Sequence, residues 1–364
     1  MLEQALNQHF GVEIEMLVPV SVTRAELVRG LTAAGTPTVD AGYTHRGMST
    51  WKIVTDASLR TEFGYYAIEL VTPSLPPLIG EAGFEQVIAA GRYLLSIGAK
   101  VNRSCGLHVH IDARTMSVDA MRRLAAIYSH AEPMLDALMP ISRRGNNNTY
   151  CRSVAGVSRA AIARALSPDA LAHALTAGAG SWQTRYAKLN FAAWGRHRTV
   201  EFRHHSGTVD PDKILQWVKM CLRLAHFAAT STMSFATGAA MPASVRAGTK
   251  RALLLEMLMR PQGATRGELL VATGARTLSL GALSKASGVR IIRGYRRRGG
   301  LTNYHAETQY APVVETHDDD LPMTHEAFYD RLALTPDERA FWQARREFLT
   351  AAHTRDSVAL TPAE

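Results

Sequence analysis

Four short stretches of this 364-residue chain set carboxylates, histidines or an arginine two residues apart between apolar neighbours. They are Gly11-Val12-Glu13-Ile14-Glu15-Met16, Ala67-Ile68-Glu69-Leu70, Gly106-Leu107-His108-Val109-His110-Ile111 and Thr199-Val200-Glu201-Phe202-Arg203. A period of two belongs to the β-strand, where residues i and i+2 share a face. Each stretch therefore reads as a strand with one apolar face for a core and one face of Glu, His or Arg. An ordinary solvated strand face carries Lys, Thr, Ser and Gln. A face built from Glu13, Glu15, Glu69, His108, His110, Glu201 and Arg203 reads instead as the lining of a metal and phosphate site.

Strand signals at 10–18, 50–55, 65–72, 104–112, 186–193 and 198–205 alternate with helical patterns at 22–34, 82–97, 117–138, 158–165, 167–176 and 210–230. The expectation is an α+β domain over 1–235, with an antiparallel sheet and helices on one side. Arg143 to Arg152 reads as a turn-rich, cationic loop. The Ala-, Gly- and Pro-rich stretch 236–248 reads as a linker. Helical patterns at 249–259, 265–273 and 277–286 follow, then Ile291-Ile292, the basic turn Arg296-Arg297-Arg298-Gly299-Gly300 and a return strand at 301–306. Three helices and a hairpin predict a winged helix-turn-helix domain over 249–310. Residues 311–364 read as an acidic and helical tail, with Asp318–Asp320 near its start and a helix over 335–352.

Composition narrows the class. With 46% hydrophobic and 20% charged residues, the chain has the make-up of a soluble globular protein. No apolar run approaches the roughly 20 residues needed to span a bilayer. The start of the chain lacks a basic, apolar signal pattern. Cys105, Cys151 and Cys221 form no CxxC pair. A reducing, cytoplasmic setting is expected, with no membrane association. The formal charge of +9 is local: residues 246–310 hold 12 Lys and Arg against 3 Glu, and the remainder balances at 29 of each sign.

Three or four carboxylates from different strands, with a His, suit Mg²⁺ or Mn²⁺, which prefer oxygen ligands and keep phosphate oxygens in their shell. An Arg beside them would neutralise a phosphoryl group in transit. The sequence has no GxxxxGK[ST] loop and no GxGxxG after a strand. A nucleotide bound here is held mainly by metal and Arg.

In their order along the chain, six segments resemble the amidoligase family. They are Phe10–Glu15, Trp51 with Asp56-Ala57-Ser58, Glu69–Pro73, Cys105–His110, Leu189-Asn190 and Thr199–Thr208. That family belongs to the carboxylate–amine ligase superfamily of glutamine synthetase and glutamate–cysteine ligase. The resemblance implies a glutamine-synthetase-like curved antiparallel sheet holding ATP and two or three divalent ions. It also implies ATP-dependent amide formation through an acyl phosphate. Glu13, Glu15, Glu69, His108 and Glu201 would then be metal ligands. His108 would also lie near the phosphates and His110 near the nucleotide, Arg203 would stabilise the phosphoryl group, and Asp56 and Ser58 would help position the incoming substrate. Arg152, Arg185, Lys188 and Asn190 are further expected anion and substrate contacts. Ala57 stands where relatives often have Gly, and Thr72 where Ser is common; neither change removes a ligand.

Other readings stay open at this level. Glu13 and Glu15 could line a solvated strand face, and His108 and His110 could be structural histidines. Cys105 reads as buried packing, since no ligase step needs a thiol. His197, Glu201 and His205 share helical spacing, but Gly195 and Gly207 outside and Val200 and Phe202 inside favour a strand. A metallohydrolase on the same cluster would cleave amides or esters without ATP, although the cluster is richer in carboxylates than a usual zinc site. A DNA-binding protein with a ligase-derived sensor domain is the third possibility. Residues 249–306 also resemble a small winged-helix domain of bacterial and phage proteins, with departures in the third helix at Leu280–Ser284. Arg293 and Arg296–Arg298 would meet phosphates without reading sequence. The alternative is a cationic face docking the acidic run. Small-molecule or peptide acids and amines are the expected substrates, and a homo-oligomer is compatible with them.

Overall fold

The computed structural model describes residues 2–176, 184–233, 245–246, 248–258, 264–287, 289–296, 302–307 and 324–359. After α1 (Leu2–Leu6) come β1 (His9–Pro19), α2 (Arg24–Ala33), β2 (Thr38–Gly42), β3 (Trp51–Val54), β4 (Tyr65–Val71) and β5 (Leu78–Ile79). Then follow α3 (Gly80–Ser96), β6 (Gly106–Asp112), α4 (Val118–Ala137), α5 (Arg159–Arg164), α6 (Pro168–Leu175), β7 (Leu189–Asn190), α7 (Ala193–His197), β8 (Thr199–Ser206) and α8 (Pro211–Thr230). The eight strands form one sheet in the order β2-β3-β4-β1-β6-β8-β7, with β5 beside the start of β1.

The alternation in β1 does what its period requires. Phe10, Val12, Ile14 and Met16 enter the core, and Glu13 and Glu15 take the opposite face. Leu107, Val109 and Ile111 of β6, Ile68 and Leu70 of β4 and Val200 and Phe202 of β8 join the same core. α3, α4 and α8 cover that apolar face. Gly91 of α3 allows the close approach, because a Cβ there would stand 2.9 Å from Pro211 at the start of α8.

Two strand expectations are corrected. The sheet is mixed, because β2 runs parallel to β3 while the other pairings are antiparallel. β2 carries a single Val between Thr38 and Asp40 and ends at Gly42, so its alternation is too short to read as a strand. A parallel partner also forces the chain to return along the sheet. Residues 43–50 make that return, and Thr44 to Gly47 line a cavity on the polar face. The strand expected over 186–193 shrinks to Leu189–Asn190. A 3-10 turn at Thr184–Tyr186 precedes it and α7 follows from Ala193.

A second, smaller core belongs to α9 (Lys250–Leu258), β9 (Ala264–Thr265), α10 (Arg266–Thr273), α11 (Leu280–Ser287), β10 (Arg290–Arg296) and β11 (Thr302–Glu307). Leu255, Leu258, Leu269 and Leu283 meet there, and the sheet order is β10-β11-β9. α10 opens on a Thr265–Glu268 capping box and closes on Gly274 in the left-handed conformation, the start and stop signals that its sequence carries. Most of the linker (236–244), the turn Arg297–Gly300 and the acidic run Asp318–Asp320 lie outside the described residues.

The chain then returns to the larger body through α12 (His325–Arg331) and α13 (Pro336–Ala359). Phe328, Tyr329, Leu332, Leu334 and Trp342 are part of the main core. The Trp342 ring stands 6.1 Å from that of Trp217 on α8. Arg223 of α8 pairs with Glu338 at 2.9 Å, both buried. Arg345 Nε donates to the Leu138 carbonyl at 2.7 Å, which holds α13 to the end of α4. Among the described residues no helix is long and apolar enough to cross a membrane.

Trp342→Ala is expected to cost about 3–5 kcal/mol of stability, as large-to-small aromatic changes in a core do. Urea unfolding of the full chain measures it. A melting curve unchanged from wild type would mean that α13 is not part of this core.

Candidate metal and phosphate site

The register of the strands assembles the polar face. Glu15 lies directly opposite Glu69 across β1 and β4, Glu13 opposite His108 across β1 and β6, and His110 opposite Glu201 across β6 and β8. Asn190 of β7 faces Glu201 from the other side and donates to its Oε2 at 2.7 Å. Directly opposed residues bring their side chains within contact range, so seven groups from five strands converge without any loop placing them.

Three overlapping donor sets result, each with ligand atoms within 4.8 Å of one another: Glu13, Glu69 and His108; Glu13, His110 and Glu201; and Glu15, Asp56 and Glu69. Glu13 and Glu69 each serve two sets, so the strip is continuous. His108 Nδ1 is 3.0 Å from Glu13 Oε2. His110 Nδ1 bonds Thr199 Oγ1 at 2.9 Å, which leaves Nε2 facing the carboxylates. That Nε2 lies 3.4 Å from Glu13 Oε1, yet it is buried with no hydrogen-bond partner. Arg203 pairs with Glu201, and its Nε donates to the Tyr150 carbonyl at 3.2 Å.

β8 carries an irregularity that matters here. Its pairing with β6 shifts between Leu107/His205 and Val109/Phe202, leaving an extra residue on β8. A bulge re-aims side chains. Glu201 and Arg203 stay with the strip, while His204 and His205 are both completely buried. The helical zinc spacing of His197, Glu201 and His205 is therefore not realised. His197 ends α7, and its ring still reaches within 5.8 Å of His110.

Crowding sets the electrostatics. Burial, with the like charges of Glu13, Glu15 and Asp56, holds the Glu69 carboxyl well above the usual range. Burial also raises Glu15, against the pull of His108 and Arg203. At Glu13 burial is outweighed by His110 and His108, which hold the carboxyl well below its usual value. At Glu201 burial is again outweighed, chiefly by Arg203 and His110. Burial beside His110 lowers His197 to about 4.

The strip opens on a cavity of about 360 Å³ lined by its own Glu13, Glu69 and His110 and by Lys52, Asp112, Arg114, His197 and Arg198. Lys52 Nζ donates to the Arg46 carbonyl at 2.7 Å. Sequence reading missed Lys52 and weighed His197 only within a helical spacing that it set aside. Alternation from Trp51 and Ile53 is a usable signal for Lys52; His197 reaches the cavity from the end of α7, which its spacing to Glu201 does not reveal.

Asp56 joins the donor strip itself, and its Oδ1 also accepts the Ser58 amide at 2.7 Å. Lys188 is fully buried and paired with Glu132 at 2.7 Å and Asp136 at 2.6 Å. Two α4 carboxylates draw it inward, because a buried cation needs a counter-charge. Arg152 and Arg185 are exposed and belong to none of the donor sets; Arg185 lies over the Tyr186 ring at 4.9 Å. Thr72 keeps a hydroxyl where Ser is common, and Oγ1 accepts the Val12 amide at 2.9 Å. Cys105 is a buried free cysteine.

A family model described as "putative amidoligase enzyme" matches residues 6–225, more than half of the chain. The chain belongs to this family. Every residue of the three donor sets falls inside the amidoligase match, and α9 to β11 fall outside it. Amidoligase membership makes the larger body a ligase enzyme. No curated protein matches the chain.

A cation on this strip must displace the proton that Glu69 holds, so Mn²⁺ binding is expected to release protons and to weaken as pH falls. The sign for stability is opposite. Glu69's raised value means that the folded, metal-free protein keeps a proton the unfolded chain sheds above about pH 4.3, so the Glu69 contribution to metal-free stability falls as pH rises, whereas Glu13 and Glu201, held below their usual values, contribute with the opposite sign. Calorimetry in buffers of different ionisation enthalpy, with melting curves with and without Mn²⁺, reads both.

Proposed function

We propose that the amidoligase-family body is an ATP-dependent carboxylate–amine ligase using Mg²⁺ or Mn²⁺, on a glutamine-synthetase-like fold. The observation that carries this reading is the continuous strip of donor sets beside a cavity with a cationic wall. Donor sets of carboxylates with at most one imidazole suit hard divalent cations better than zinc. Nε2 of buried His110 faces Glu13 and Glu201 at 3.4 and 3.9 Å without a well-formed hydrogen bond, so it is free to turn toward a ligand.

Glu13, Glu15, Glu69, His108 and Glu201 are the metal ligands of this proposal, with Asp56 completing the set around Glu15 and Glu69. Asn190 orients Glu201 by its 2.7 Å hydrogen bond. Lys52 and His110 face phosphates in the cavity, and Arg203 faces the phosphoryl group as it moves. Bound ATP supplies that group: an acid oxygen bonds to the γ-phosphorus as the bond to the ADP oxygen breaks, and the amine then displaces phosphate and loses a proton. The cavity leaves the strip at the His110 end, so nucleotide and acid meet across the carboxylates. Ser58 stays near this junction through Asp56.

ADP release is expected only when acid, amine and divalent cation are present together. Glu13→Gln and Arg203→Ala should each lower turnover by about a hundredfold or more, the loss typical of removing a charge-stabilising group. A coupled ADP assay on an acid-by-amine panel reads it, and full turnover in either variant would remove the site as drawn.

The smaller body is proposed separately as a winged helix that binds nucleic acid through charge. Its element order of helix, strand, helix, helix, strand, strand supports the fold, and the local excess of 12 Lys and Arg over 3 Glu supports the partner. A gel shift on random-sequence duplex DNA should weaken steeply between low and moderate salt, as counterion release requires. No shift at the lower salt would retire the partner.

A further inference from the structure

The cavity of about 360 Å³ beside the donor strip has three arginines on its wall, Arg46, Arg114 and Arg198. Arg114 turns its fork to Asp112, with Nε at 2.9 Å and Nη2 at 2.6 Å. Arg46 lies on the return loop, exposed and with no aromatic ring behind it among the described residues. Arg198 differs from both. Its guanidinium lies over the Trp194 ring, 4.0 Å from the centroid. Among the described residues no carboxylate pairs with it and no protein oxygen accepts from its side chain. Stacking covers a face of a guanidinium and leaves the N–H donors in its plane free.

The backbone at this point is strained. Arg198 follows α7 with φ 59° and ψ 32°, in the left-handed region. Among the described non-glycine residues only Ala333 also has a positive φ. Glycine or asparagine ends a helix this way more easily than a long side chain does. The Arg198 amide donates to the Trp194 carbonyl at 3.1 Å, and its carbonyl accepts the Ala113 amide at 2.9 Å. The turn is therefore held from both sides. A strained residue held on a cavity wall points to a use for its side chain.

Strand register gives the direction. Glu201 faces His110, and Thr199 faces Asp112, across β8 and β6. About 7 Å of strand separates Thr199 from Glu201, and Arg198 lies just beyond. A nucleotide whose reacting phosphate meets the carboxylates runs its other phosphates along the cavity toward this end. A guanidinium fork matches phosphate oxygens pairwise.

We infer that Arg198, steadied by Trp194, binds the α- and β-phosphates of the nucleotide. This deepens the ligase reading and rests on it, adding a binding residue outside all three donor sets.

The test uses the full chain with Mg²⁺, and ADP and a non-hydrolysable ATP analogue as probes. Calorimetry reads binding and a melting curve reads folding. Wild type should bind both probes. Arg198→Gly should weaken both by roughly tenfold or more, the low end for hydrogen bonds to a charged group. The factor should be alike for the two, because they share those phosphates. Its melting temperature without ligand should stay near that of wild type, since glycine suits this backbone. The loss should shrink as salt rises, because a charge contact is screened and a stacked base is not. Unchanged affinity, loss confined to the ATP analogue, loss independent of salt, or no nucleotide bound by wild type would each overturn the inference. Arg198→Asn, which also tolerates the left-handed region, repeats the measurement. Affinity lost in step with melting temperature in both variants would assign Arg198 to the fold and overturn it too. Arg198-dependent nucleotide binding with no ADP formed from any acid and amine would count against the ligase reading and leave this contact standing.

Discussion

Glu15 and Glu69 face each other across neighbouring strands, an arrangement that repels when both are ionised. The rest of the molecule is organised around holding that repulsion in place. The apolar residues that alternate with the carboxylates on β1, β4, β6 and β8 bury completely. A slip of one residue would send the charges into that core and the core into water. Hydrophobic burial on one side thus enforces electrostatic strain on the other. The positive charge of Arg203 relieves it, and a bound metal would do so further.

Behind the strip, a second polar network fixes the pieces that surround it. Lys188 bridges Glu132 and Asp136. Asp136 accepts from His204 Nε2 at 2.6 Å, and Tyr128 bonds His204 Nδ1 at 2.8 Å. Glu132 and Asp136 also accept the backbone amides of Val154 and Gly145. Burial is the largest influence on Asp136, but His204 and Lys188 outweigh it and hold its carboxyl down at about 2. Such a fully partnered network gives rigidity to a loop that has little secondary structure of its own. That loop carries Arg143 and the Tyr150 carbonyl that Arg203 meets.

Much of this was legible because the site lies on strands. A period of two puts Glu13, Glu15, His108, His110 and Glu201 on one face whatever the details of packing, and their order identifies the partners. The helices α3, α4 and α8 announce themselves through long apolar periods and through caps such as Ser117 and Asp210. What escaped has a common physical cause: it depends on chain reversals and distant packing. β2 is marked by too few residues, so the parallel pair and the return loop over the cavity could not be foreseen. The partners of Lys188 were not legible, because nothing nearby in sequence reveals Glu132 and Asp136, which arrive on a helix more than fifty residues earlier. The period of α13 shows an amphipathic helix, but not which body its Trp342 enters.

That last helix gives the smaller body an unusual attachment. The chain leaves the larger core after α8 and rejoins it at α12, so the basic unit is an excursion within one fold. A segment anchored at both ends explores less space than one hung from a single tether, and its local concentration beside the larger body stays high. The helices that flank it, α8 before and α12 with α13 after, meet through Trp217 and Trp342, behind the strand that bears Glu201 and Arg203. Force applied to the excursion would be passed through these helices to the back of the strand that bears Glu201 and Arg203.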